Sequence, residues 1–155
     1  MADPIRFQDI YAAHAPAVYR CLLAWSRNAA LAEDLTSETF VRALAADQPV
    51  QAATARGYLV TIARNLWREY GRRSWRQVAF EAAASPVIHP NLDLPLELKN
   101  ILNAIAELPE TLREPLVLFA QGELTYEEIA SQLQLPLATV KIRIFRARQK
   151  LEKFR

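Results

Sequence analysis

Lys141, Ile142, Arg143, Phe145 and Arg146 fall within six consecutive positions near the end of the sequence, and together they have the chemistry of a polyanion reader. Lysine and arginine donate to base edges or phosphates, while isoleucine and phenylalanine can pack on thymine methyl groups. The surrounding stretch, residues 138–155, holds seven of the nineteen Lys and Arg residues against one acid, Glu152. At about 100° per residue, Val140, Ile144, Ala147, Leu151 and Phe154 form one narrow apolar stripe. Ala138, Ile142, Phe145, Arg146 and Gln149 project away from it, with Lys141, Arg143, Arg148 and Lys150 on the flanks. A helix that was merely solvated would have little use for Ile142 and Phe145 on that side.

Just upstream, Thr125 and Glu128 have the spacing of a capping box, and Tyr126, Ile129, Ala130 and Leu133 make an apolar face behind it. Pro136 is expected to stop this helix and permit a tight turn into the basic one. The pair reads as a helix-turn-helix.

A second basic block spans residues 56–76, with six arginines and one acid, Glu69. Here Leu59, Ile62, Ala63, Leu66 and Tyr70 have core spacing. Thr61, Arg64, Asn65, Arg68, Arg72 and Trp75 are expected on the opposite, exposed face. Polar donors, arginines and an aromatic ring suit single-stranded or partly melted DNA, whose bases stack while the backbone follows the cations. The formal net charge of +2 hides these two cationic surfaces, because residues 77–137 carry nine acids against Lys99 and Arg113.

Little else in the chain offers chemistry. Cys21 is the sole cysteine, set in an apolar helical stretch and expected to be a buried free thiol, so neither an internal disulfide nor a cysteine-based zinc site can form. His14 and His89 lack metal-ligand spacing. No phosphate-cradling glycine loop, nucleophile elbow or run of about eighteen apolar residues occurs. The expectation is a soluble cytoplasmic non-enzyme with no cofactor, no metal, no signal peptide and no membrane insertion.

The elements that position these residues are all helical. Only three glycines and a 52% hydrophobic composition in 155 residues imply an all-α chain of one medium or two small domains. Residues 77–94 break helical periodicity and contain Pro86 and Pro90, which predicts a flexible linker. The expected boundaries are 1–76 for the first domain, 77–95 for the linker and 96–155 for the second. Pro4 and Pro16 are expected to bracket a short first helix, and Asn28 to cap a later one.

Three ordered stretches carry a family resemblance: AEDLTSETFVRAL (32–44), ARGYLVTIARNLWREYGRR (55–73) and LPETLREPLVLFAQGELTYEEIASQLQLPLATVKIRIFRARQKL (108–151). The chain resembles the extracytoplasmic-function (ECF) sigma factors, the smallest members of the sigma-70 family, which keep only the second and fourth conserved domains. The resemblance implies a sigma-2-like and a sigma-4-like helical domain. It implies docking on core RNA polymerase, at the beta-prime clamp helices and the beta flap, with Glu33, Asp34, Leu35, Glu38, Phe40 and Arg42 at the clamp. It places Tyr58, Thr61, Arg64, Asn65, Arg68 and Arg72 at the minus-ten promoter element, with Asn65 where a flipped base is held. Lys141, Ile142, Arg143, Phe145 and Arg146 fall where the minus-thirty-five element is read, and an anti-sigma factor is a further implied partner.

This sequence departs from the family pattern at Ser37, usually Gln, and at Ala138, usually Gly. It departs also at Ile142, usually small and polar, at Tyr58, usually Trp, and at Phe119, often Arg. Read without the resemblance, the residues leave two further possibilities: a dimeric helix-turn-helix regulator, or a helical module that binds acidic proteins.

Overall fold

The structure is a computed structural model that describes residues 7–46, 54–78 and 95–152, the side chains of 74–78 excepted. Among the described residues there are seven helices and no strand: α1 (Phe7–Ser26), α2 (Ala29–Ala45), α3 (Ala55–Val78), α4 (Leu96–Glu107), α5 (Glu110–Gly122), α6 (Tyr126–Leu133) and α7 (Leu137–Glu152). The chain divides into two compact units, Met1–His89 and Pro90–Arg155. The expected linker lies outside the described residues apart from its start, where α3 runs on to Val78, and its last position, Pro95.

In the first unit α1, α2 and α3 each pack on the other two. Their shared core contains Val18, Cys21, Leu22 and Leu23 from α1, Ala32, Thr39 and Phe40 from α2, and Leu59, Val60 and Ala63 from α3. The predicted break at Pro16 does not occur, and α1 runs through it as one helix of 20 residues. Pro16 sits on the exposed side, where water can satisfy the carbonyl that loses its N–H partner, while Ala17, Val18 and Cys21 hold the other side in the core. Arg27, in the left-handed region at φ 56°, turns the chain into α2. As expected, Asn28 caps α2, its side chain accepting from the Leu31 N–H at 3.1 Å. Cys21 is fully buried, and burial pushes its thiol up to about 12, against the opposing pull of Arg20 and Arg56.

In the second unit α5, α6 and α7 pack pairwise around Leu116, Val117, Leu118, Ile129, Val140, Ile144 and Ala147. The capping box at α6 is complete, with Glu128 N–H donating to Thr125 Oγ1 and Thr125 N–H donating to the Glu128 carboxylate, each at 3.1 Å. The stop at the other end differs from expectation. Gln134 ends α6 in the left-handed region at φ 55°, and the Leu135 N–H closes back on the Ala130 carbonyl at 3.0 Å, two residues before Pro136. Pro136 instead heads α7, its carbonyl accepting from Thr139 and Val140. Ala138 is already helical, so the turn does not need a glycine there.

Candidate nucleic-acid interface

Helix α7 presents the predicted face. Val140, Ile144 and Ala147 are buried, whereas Lys141, Ile142, Phe145, Arg146 and Gln149 are exposed and Arg143 is half-buried. Ile142 keeps 49% and Phe145 61% of its surface accessible. The expected stripe residue Phe154 lies outside the described residues. An aromatic stack beside this face was not evident from the sequence. The Arg148 guanidinium lies 5.0 Å from the Phe119 ring centroid, and the Phe119 and Tyr126 rings are 4.9 Å apart, which joins α5, α6 and α7. Its one sequence signal was an aromatic residue at a position where the family often has Arg.

Helix α3 needs two corrections. Tyr58, Asn65, Arg68 and Arg72 are exposed and Thr61 is half-buried, its hydroxyl donating to the Gly57 carbonyl at 2.7 Å. Arg64, expected on the same exposed face, is only 4% accessible. It adjoins Val60 and Ala63 on the helix circumference, and packing against both α1 and α2 widens the buried arc enough to take it in. Tyr70, expected in the core, is 41% exposed and stacks on Trp67 with ring centroids 6.1 Å apart at 18°. The buried stripe of α3 ends at Leu66 among the described residues, so Tyr70 has the right angular position but no core to enter. The side chain of Trp75 lies outside the described residues.

Helix α2 exposes Glu33, Asp34, Glu38 and Arg42 and half-buries Leu35. Phe40, assigned by resemblance to the docking surface, is instead a core residue at 2% exposure, its ring edge-on to Phe7 at 6.0 Å and Tyr11 at 4.8 Å. Val41 and Leu44 take the exposed apolar role, at 56% and 59% accessible. Both fall off the buried stripe of Ala32, Thr36, Phe40 and Ala43, a periodicity signal the sequence did contain. Between α1 and α2 a hollow of about 650 Å³ is lined by Tyr11, Ala15, Tyr19, Glu33 and Ser37. Burial, and then the Glu33 charge, raise the Tyr19 hydroxyl pKa.

An ion-pair chain connects α2 with α3. Arg42 lies 3.5 Å from Glu38 and 3.3 Å from Glu69, and Glu69 is 3.4 Å from Arg73. The one acid of the first basic block is therefore shared between two arginines. Among the described residues no cluster of three or more His, Cys, Asp or Glu could hold a metal ion, and no helix is long and apolar enough to cross a membrane.

The two basic helices sit in separate units, and each unit matches a family model. Residues 10–77 match Sigma-70 region 2 and residues 98–151 match Sigma-70, region 4. The ECF RNA polymerase sigma factor SigM of Bacillus subtilis is 32% identical over 93% of this chain and 91% of its own. The chain belongs to the ECF sigma factors. As a member of this family it is a transcription initiation factor that binds RNA polymerase and directs it to promoters. Two solved structures share the fold of this ECF sigma factor. The sigma factor RpoE in complex with the anti-sigma factor NepR, from Bartonella quintana, has a TM-score of 0.75 at 26% identity, covering 96% of this chain and 95% of that one. CnrH in complex with the cytosolic domain of CnrY has a TM-score of 0.64 at 27% identity, covering 95% of this chain and 85% of that one. Family members are non-enzymatic regulators.

Proposed function

We propose that the two units divide promoter recognition, with residues 1–76 docking on the polymerase clamp and opening the minus-ten element and residues 96–155 reading the minus-thirty-five element. The observation that carries this division is the contrast between the two exposed faces. Helix α3 offers Asn65, Arg68, Arg72 and Tyr58, an amide, cations and a ring of the kind that hold extruded bases. Helix α7 offers Lys141, Arg146, Ile142 and Phe145 as the second helix of a helix-turn-helix pair whose first helix, α6, is closed by the capping box. Glu33, Asp34, Leu35, Glu38, Arg42, Val41 and Leu44 form the clamp-docking surface, and the second unit meets the beta flap. Arg64 and Phe40 support these surfaces from within. The chain acts in the cytoplasm with no catalytic chemistry of its own, and an anti-sigma factor would silence it by covering these faces, a partner of the kind present in the RpoE and CnrH complexes.

The test is transcription in vitro from a genomic library with the purified chain and core polymerase of its own source. The expected result is initiation at a discrete promoter set, with weak binding of the isolated chain to duplex DNA. Failure to give specific initiation on any template would overturn the assignment. Charge reversal of Glu33 and Asp34 to Lys should weaken core binding while helical circular dichroism is kept.

A further inference from the structure

Ile142 and Phe145 are not needed by the fold of the second unit. Val140, Ile144 and Ala147 already fill the buried side of α7, and the two larger side chains stand at 49% and 61% exposure between the cations Lys141 and Arg146. Large apolar groups among cations fit an acceptor surface that is anionic at its edges and apolar at points within. The DNA major groove has that character, and its apolar points are pyrimidine 5-methyl groups, carried by thymine and absent from unmodified cytosine. The two residues are three positions apart, about 4.5 Å along the helix axis, which is close to the roughly 3.4 Å spacing of successive base pairs.

We infer that Ile142 and Phe145 are a reader of 5-methylpyrimidines, each covering one methyl group on neighbouring base pairs of the minus-thirty-five element. The inference rests on the promoter-binding role of α7 and adds what that helix selects: adjacent T·A pairs, or 5-methylcytosine in the place of thymine. Ile142 stands where the family usually has a small polar residue. The Ile142 half of the reader therefore belongs to this chain.

The decisive experiment alters the DNA and leaves the protein intact. A promoter chosen by the holoenzyme is synthesised with deoxyuridine in place of each minus-thirty-five thymine in turn, and open-complex occupancy is measured at limiting holoenzyme. Removing a covered methyl should lower occupancy about fourfold, and removing two about fifteenfold, the Boltzmann factor for one buried methyl group each. Cytosine at those positions should bind worse than thymine, and its 5-methylation should return the share that the methyl supplies. Ile142→Ser and Phe145→Ser, both at exposed sites, should each erase the thymine-to-uridine difference at one position without lowering the melting temperature. Uridine tolerated at every minus-thirty-five position, with specific initiation retained, would sink the methyl-reading inference and leave the sigma-factor function standing. An element without neighbouring pairs that carry a 5-methylpyrimidine would sink it too, whereas absence of specific initiation on any template would count against the function itself.

Discussion

Helices α3 and α7 are both basic and both turn one side to solvent, yet they deploy their arginines differently. In α3 one arginine, Arg64, is drawn into the core, and Arg73 shares Glu69 with Arg42 of α2. In α7 only Arg143 is half-buried, and Lys141, Arg146 and Lys150 stand exposed beside an apolar pair. The packing partners explain the contrast. α3 lies against two long helices, of 20 and 17 residues, whereas α7 lies against α5 and the eight-residue α6. A wider seat buries a wider arc, so charge on a helix wheel reports a binding face only where the packing is narrow.

The largest effect that could break this comparison is on stability. Arg64→Ala should destabilise the first unit by about 3 kcal/mol, because truncating a buried polar group strands its partner. Arg68→Ala, on the exposed face, should stay within about 0.5 kcal/mol of the native chain while weakening promoter opening. Urea unfolding beside transcription assays separates the two. Unchanged stability with lost opening in the Arg64 variant would return it to the DNA surface.

Next in size is the split between opening and reading. Arg146→Ala should cost about 1–3 kcal/mol of promoter affinity, the range for one base-edge contact. Asn65→Ala should slow opening, since a methyl group cannot meet the hydrogen-bonding edge of an extruded base. On a template mismatched across the minus-ten element, the Asn65 variant should recover part of its activity and the Arg146 variant should not. Equal rescue would erase the functional difference between the helices.

Smaller effects sharpen the contrast at its margins. Thr125→Ala removes one half of the capping box and should lower the second unit's stability by about 1 kcal/mol, measured by thermal melting. Glu69→Gln releases Arg73 and leaves Arg42 paired with Glu38 alone. Exposed pairs of this kind contribute about 0.2–1 kcal/mol, so stability should fall slightly while affinity for single-stranded DNA rises at low salt and converges with the native chain at high salt. A rise that persisted at high salt would point to reshaping of the surface.

Features set by a few adjacent residues were legible in the sequence. The caps at Asn28 and Thr125, the helical state of Ala138 and the exposed face of α7 depend on local spacing and on a single packed stripe, and they stand as read. The burial of Arg64 and Phe40 and the exposure of Tyr70, Val41 and Leu44 depend on where neighbouring helices begin and end, which periodicity does not record. The family pattern named Phe40 within a docking motif, and a motif mixes residues that touch the partner with residues that hold the helix. Pro16 and Pro136 differ for another reason. A proline inside a helix leaves one carbonyl without its N–H donor, which solvent can replace at Pro16, whereas Pro136 stands ahead of α7, where no intrahelical donor is missing, and only the folded chain decides which case holds.

The thiol of Cys21 leads to one practical consequence. With no accessible surface and a pKa near 12, it stays protonated and out of reach of maleimides at neutral pH, so the native chain is already a silent background for site-specific labelling. Cysteines introduced at an exposed position in each unit would accept a donor and an acceptor dye without removal of the native residue. Energy transfer between them could then follow the separation of the two units as polymerase, promoter and any inhibitor bind in turn.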